Sequence, residues 1–405
     1  MSFIMSSVTF LLALLPDWTW HQWFLALHTP YRYSRLIGNL IGKYLYRPYP
    51  VLRNPKYSGE DVTVIIPTIT DDMEELRPHF LSILATPIHQ LILVTTDNRK
   101  AKLLSFTKDL ADPRVQVHSV PIANKRTQLA AVIPTVQTDI CILVDDDVTW
   151  TCTILPWLLA PFEHPRNGSV DVGMAAIRIR SGPFFTRCIN FLGAVYLERR
   201  NFEGAATLTL DGGISCMSGR TNALRTCILQ DEAFLDAFCH EKFNGVPFAT
   251  GDDKMITRWL VQKGWGIGFK FLYQCQRWAG SSWRGNYKTL FVESNPWAVC
   301  KKQPWTFYAK YIAVFTSMGL ITDSLTWYCY YQIRPLLDPT SLWAGNSGWV
   351  LMFLLYLFTK TIKLESLFRA HPKDMGFLPV SILFGLFHGF IKMKAFCKDK
   401  GWLSR

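Results

Sequence analysis

The chain predicts an α/β fold in which helices cover a parallel sheet, with apolar membrane-directed segments on either side. Three observations carry that expectation. From Asp61 onward, short apolar strand runs alternate with helix-patterned stretches; an acidic triplet ends one of those runs; and the residues before 61 and after 280 form apolar, aromatic blocks. Strand-helix alternation favours a parallel sheet with its ligands at the carboxyl ends of the strands.

Composition sets the frame. The 405 residues are 49% hydrophobic, with 15 Trp and 27 Phe, which suits one large catalytic domain plus membrane segments. A net charge of +12 at pH 7 would suit nucleic acid or a membrane surface. No basic run alternates with aromatics in the manner of a nucleic-acid module, so nucleic acid is excluded. Lys and Arg cluster instead beside apolar segments, as on a cytosolic membrane face. The ten Cys contain no Cys-x-x-Cys pair and fit a reducing compartment.

Residues 1–60 read as an anchor spanning about 3–27, with Trp18, Trp20 and Trp23 toward one interface. A basic stretch of Arg32, Arg35, Lys43, Arg47 and Arg53 follows and places the next domain in the cytosol. Val62 to Pro67 is a buried strand. Met73 to Ala85 is a helix presenting Leu76, Phe80, Leu81 and Leu84 on one face, and Leu91 to Val94 is the next strand, with Asp97 at its end. Val115 to Val117 is a short strand, Asn124 to Val136 a helix opening Lys125-Arg126, and Ile140 to Val144 an apolar strand running into Asp145-Asp146-Asp147.

Three carboxylates at a strand end repel one another and ask for a cation. In extended chain Asp145 and Asp147 point the same way, toward one divalent ion, while Asp146 points elsewhere. An acidic turn is the bland alternative, and hydrolases use such carboxylates too. Further on, Gly251-Asp252-Asp253 precedes a helix from Lys254 to Lys263, and Gln274-Cys275-Gln276-Arg277-Trp278 follows about two dozen residues later. A base, a cation and a flat aromatic surface are the parts needed to move a sugar from a diphosphate leaving group. Taken alone, Gly-Asp-Asp is commonly a turn that caps a helix.

In order and spacing, Val64-Ile65-Ile66-Pro67, Lys125-Arg126, Asp145-Asp146-Asp147, Gly251-Asp252-Asp253 and Gln274-x-x-Arg277-Trp278 resemble the processive family-2 glycosyltransferases, the hyaluronan, chitin and cellulose synthases, and most of all the small fungal hyaluronan-synthase-like enzymes. The resemblance covers residues 61–280 and implies a GT-A, Rossmann-like domain that uses a UDP-sugar and Mg2+ or Mn2+. It implies an inverting, metal-dependent transfer to a growing polysaccharide that is exported for cell wall or extracellular polymer. It also implies an integral membrane protein of the plasma membrane with its catalytic domain in the cytosol and the bilayer as partner.

Residue by residue, Asp97 takes the place of the uridine-binding aspartate, though Thr95-Thr96-Asp97-Asn98 departs from the usual Asp-Asp-Gly-Ser. Lys125, Arg126, Asp145 and Arg277 fall with the donor and its diphosphate, and Asp145 and Asp147 with the metal. Asp253, with Asp252 beside it, takes the catalytic base. Ser218-Gly219-Arg220, Gln274 and Trp278 fall with the acceptor, where Gly212-Gly213 would allow close backbone approach. Donor specificity rests on pocket shape around the hexose and is not written in these motifs. A non-processive transferase acting on a lipid-linked acceptor has the same build but typically lacks Gln-x-x-Arg-Trp.

Residues 281–303 mix aromatics and cations as an interfacial helix does. Within the membrane region, 304–392, spans are expected at about 305–330 and 348–363, and Gly376 to Phe390 is an apolar piece too short to cross. The tail, 393–405, is basic. Its Trp402 and Arg405 resemble a segment that closes over bound UDP in hyaluronan synthases, with Trp402 as gate and Arg405 on the diphosphate; a tail that only grips anionic headgroups is the alternative.

Overall fold

The computed structural model describes residues 18–174, 183–214, 216–243, 245–247, 251–272, 286–313 and 319–398. Its centre is a seven-stranded mixed sheet. In chain order the strands are β1 Val62–Pro67, β2 Gln90–Thr96, β3 Val115–Val120, β4 Ile140–Val144, β5 Asn167–Met174, β6 Thr221–Arg225 and, after a small β7–β8 hairpin (Lys242–Phe243 and Val246–Pro247), β9 Gly266–Leu272. The spatial order is β3-β2-β1-β4-β6-β5-β9. Strands β3, β2, β1 and β4 are parallel, as expected, but β6 runs antiparallel to both β4 and β5. The expectation of a wholly parallel sheet is therefore corrected in its second half. There β6 follows the acidic triplet through a long excursion and returns from the opposite end.

Strands β1 and β4 are buried along their whole length, which is why they read as unbroken apolar runs. One layer of core gathers Val64, Ile66, Leu91, Leu93, Phe80 and Ile142; the other gathers Ile65, Ile92, Leu129, Leu143, Phe234 and Ile256. The helix Met73–Leu84 (α2) buries Met73, Leu76, Phe80, Ile83 and Leu84, while Leu81 is exposed. Five positions beyond Leu76 a helix has turned roughly 140° past a full turn, off the core face. Ile83 belongs on that face and Leu81 does not.

The helical layer differs from expectation more. α1, Trp20–Leu45, continues through Arg32, Arg35 and Lys43, which pair with Asp323, Glu203 and Glu365 instead of forming a free basic stretch. Against α1 packs α6, Phe184–Asp211, whose 28 residues were not foreseen. Beyond the sheet come α10 Pro296–Lys302, a π-helix Phe307–Ile312, α11 Gly319–Ile333, α12 Asn346–Thr361, α13 Glu365–Ala370 and α14 Leu378–Lys398. The piece expected to be short is thus part of a 21-residue helix. Among the described residues no helix is long and apolar enough to cross a membrane; the anchor expected at about 3–27 and the span expected at about 305–330 fall in part, at 1–17 and 314–318, outside the described residues.

Candidate active site

The carboxyl ends of β1, β2 and β4 open on one side of the sheet, and three helices bring side chains to that edge. They are α3 Asp97–Leu110, α4 Lys125–Val132 and α9 Asp252–Gln262. α4 starts cleanly because the Asn124 side chain caps the Arg126 amide at 2.9 Å. Gln128 then donates to the Val94 carbonyl at 2.8 Å, tying α4 to the end of β2. α9 starts at Gly251, whose backbone is left-handed at φ 76°. A side chain there is strained by about 1–2 kcal/mol. Gly251→Ala is accordingly expected to cost about that much in urea unfolding, together with activity, because the turn aims the carboxylates of the first helical turn.

Lys125 is the pivot of the site. Its Nζ lies 2.6 Å from Asp145 at the end of β4 and 3.0 Å from Asp252 at the start of α9, so one ammonium joins residues that the sequence keeps far apart. Burial opposes that charge, but Asp252 and Asp145 together raise its pKa. Burial also raises Asp145 against the pull of Lys125, whereas for Asp252 burial is outweighed by the charge and hydrogen bond of Lys125 together with the charge of Arg126, and the carboxyl is held low.

Asp253 is the other half of the pair. It is buried, and its Oδ1 accepts the Lys254 amide at 2.7 Å. Burial first, and then the charge of Asp252, push its carboxyl up to about 6. A loop holds it from outside. The Met217 amide donates to Thr257 Oγ1 at 2.9 Å, and that hydroxyl donates to the Asp253 carbonyl at 2.7 Å. Cys216 shares a hydrogen bond with the Asp253 carboxyl, and Arg200 of α6 holds the Cys216 carbonyl at 3.0 Å. Gly219 faces the carboxylate directly, and a Cβ there would touch the Asp253 side chain at 3.5 Å.

The acidic triplet is not extended as expected: β4 stops at Val144, and Asp146 and Asp147 form a turn, the alternative the sequence also allowed. Asp146 accepts from Thr68 Oγ1 at 2.6 Å, away from its neighbours. Asp147 is half exposed, and both its oxygens accept from Arg220 Nη1 at 2.8 Å. Oxygen donors of this kind suit a hard divalent cation. Among the described residues, however, no group of three acidic, His or Cys side chains is gathered tightly enough to enclose one.

The structure therefore brings Lys125, Asp145, Asp147, Ser218, Gly219, Arg220, Asp252 and Asp253 to one edge. Asp97 is exposed as the first residue of α3, two strand spacings, or roughly 10 Å, from the β4 end. Arg126 lies elsewhere. It is buried, donating to the Phe238 carbonyl at 2.8 Å and to Glu241 at 2.6 Å, because a helix turns the side chain after Lys125 by about 100° toward the interior. Gly212 ends α6 with φ 67°, and Gly213 packs on Thr306, not on an acceptor loop. Gln274, Arg277, Trp278, Trp402 and Arg405 lie outside the described residues.

Sequence reasoning missed Glu241, the buried carboxylate on which Arg126, Arg258 and Lys288 converge, the last two from α9 and from the segment after the catalytic domain. A lone Glu in the stretch Cys239-His240-Glu241-Lys242 carries no pattern. Only the surplus of cations in elements due to pack together could have signalled it.

Comparison with known proteins meets this geometry. The family described as Glycosyltransferase like family 2 matches residues 59–291. A type 2 glycosyltransferase of Pyricularia oryzae is 42% identical, covering 97% of this chain and 83% of its own. One of Gibberella zeae is 41% identical, covering 90% and 72%. Among solved structures, a mannosyltransferase of Pyrobaculum calidifontis in complex with GDP-Man and Mn2+ superposes with a TM-score of 0.50 at 13% identity, covering 90% of this chain and 99% of that one. At that identity the likeness is one of fold.

Proposed function

Because the chain belongs to glycosyltransferase-like family 2 and so to the sugar transferases, we propose that it is an inverting, UDP-sugar-dependent polysaccharide synthase working at a membrane, with its product destined for cell wall or extracellular polymer. The observation that carries the reading is the Asp252–Asp253 pair. One carboxyl is held ionised by Lys125, and its neighbour is buried with a pKa near the working range. Pairs of carboxylates whose surroundings push their pKa values apart mark an acid-base assignment.

Asp253 accepts the proton of an acceptor hydroxyl as that oxygen bonds to the anomeric carbon, and the bond from carbon to the diphosphate breaks with its electron pair going to UDP. Ser218 and Gly219 border the acceptor side. Lys125 faces the leaving diphosphate, joined in this reading by Arg277 and Asp97 on the donor. Asp145 and Asp147 would hold Mg2+ or Mn2+, which supplies neutralising charge to the diphosphate. Arg220 would have to give up its hold on Asp147 for that carboxylate to take the ion. Gln274 and Trp278 are proposed for the acceptor, and Trp402 and Arg405 for closure over the nucleotide.

Incubating membranes with labelled UDP-GlcNAc, UDP-Glc and UDP-GlcA, with and without chelator, and sizing the product tests the reading. A long polymer from one donor supports it; single-sugar addition to a lipid replaces it with the lipid-linked alternative. Asp147→Ala is expected to weaken UDP binding in Mn2+ by about tenfold or more while leaving metal-free binding unchanged, the lost contact being to the ion. Unchanged UDP affinity in Mn2+, read by titration calorimetry, would place the metal elsewhere.

A further inference from the structure

Away from the catalytic edge, positive charge gathers between α1, α6, the π-helix Phe307–Ile312 and the far end of α12. Two carboxylates sit within it. Glu203 of α6 takes Arg35 and Lys310 at 2.8 Å each, and Asp323 of α11 takes Lys360 at 2.6 Å together with Arg32. These six side chains keep at most about one-fifth of their surface exposed. Arg199 stands within the field of Glu203, and Lys363 within that of Glu203, Arg35 and Lys360. Five cations, with the deeply buried Lys363 whose ammonium burial disfavours, face two carboxylates and leave a surplus of at least three positive charges where water is scarce.

Such a surplus is costly for a folded chain unless an anion joins it. Arg and Lys side chains converging from several elements suit a phosphate, the guanidinium by its fork and the ammonium as a point charge. The surroundings are apolar and outward-facing. Phe353, Leu354 and Phe358 of α12 and Leu383 of α14 are exposed, large apolar side chains of the kind that mark a membrane or partner surface when they gather.

We propose that this cluster binds the phosphate of an anionic phospholipid whose acyl chains lie along the apolar face of α12. The site also touches the catalytic machinery. Arg200, next to Arg199 on α6, holds the Cys216 carbonyl, and Cys216 rests on Asp253, so filling the cluster steadies the helix that backs the base.

The test uses the full chain and reads binding, so it stands apart from whichever sugar is transferred. Purified protein is placed in phosphatidylcholine vesicles with or without phosphatidic acid, and in detergent with or without inorganic phosphate; thermal unfolding and retained lipid phosphorus are measured. Wild type is expected to melt higher with phosphatidic acid and to retain it at about one per chain. Lys363→Gln is expected to weaken that retention about tenfold while melting no lower than wild type in lipid-free detergent, because it removes an unbalanced charge. Arg199→Gln should weaken retention likewise. Lys100→Gln, an equal charge change on exposed α3, should retain lipid like wild type. Equal loss in Lys363→Gln and Lys100→Gln would mean that net charge alone attracts the lipid and would overturn the site. So would inorganic phosphate matching phosphatidic acid in both stabilisation and competition, since the ligand would then be a free ion.

Discussion

Asp253→Asn is expected to lower sugar transfer by roughly 10²–10⁴-fold, the usual worth of a positioned general base, while leaving UDP binding within about twofold of wild type. The carboxylate faces Gly219, which the proposed function puts beside the acceptor, whereas that proposal gives Lys125, Asp145 and Asp147 to the donor. Asn keeps the size of the side chain and removes its basicity. The same assignment fixes a pH profile. The Asp253 carboxyl is raised to about 6, and only its ionised form accepts a proton, so kcat/KM should be flat above that value and fall about tenfold per unit below it. A variant keeping more than about one-tenth of the activity, or a wild-type acid limb near pH 4, would move the base to another residue.

The largest effect on stability is expected at Glu241. Its carboxylate, 2% exposed, accepts from Arg126, Arg258 and Lys288. Neutralising it leaves the buried Arg126 without its carboxylate and Arg258 and Lys288 with Glu293 alone, and removing one partner of a buried ion pair typically costs about 3–5 kcal/mol. Glu241→Gln should lose about that much in urea unfolding at neutral pH. Burial works to raise the Glu241 pKa, but Arg258, Lys288 and Arg126 outweigh it and hold the carboxyl below the ordinary range. A group whose folded-state pKa is depressed gives its stabilisation in full above the unfolded value, and that stabilisation fades as the pH falls through the folded one. The gap between wild type and Glu241→Gln should therefore close in strongly acidic buffer. A gap that stays constant down to acid pH would show that the loss is one of packing.

Much of the first half of the sheet was legible because burial on both faces leaves apolar runs with abrupt polar ends. Val62–Pro67 and Ile140–Val144 were read to the residue. β5 and β6 were not, since Asn167-Gly168-Ser169 and Thr221-Asn222 carry polar groups into the sheet and give no apolar run. α6 escaped for a related reason. Glu198, Arg199, Arg200, Asn201 and Glu203 look like a solvated surface, yet Glu198 and Asn201 are buried and Glu203 is an ion-pair node. Of the site, the carboxylates were legible as adjacent acids, whereas the bridge from Lys125 to Asp145 and Asp252 was not, because no local period connects positions brought together only by sheet order.

That sheet order constrains how the chain is made. β5 leans on β6 on one side and on β9 on the other, and β9 begins at Gly266, almost a hundred residues after β5 starts at Asn167. While a ribosome is producing α6 both sides of β5 are unpaired, and from the completion of β6 at Arg225 until β9 emerges one side still is, the kind of edge that recruits foreign strands. A chain stalled near residue 260 should therefore be a chaperone client and prone to aggregate, whereas one stalled past Leu272 has the partner it needs to close that edge.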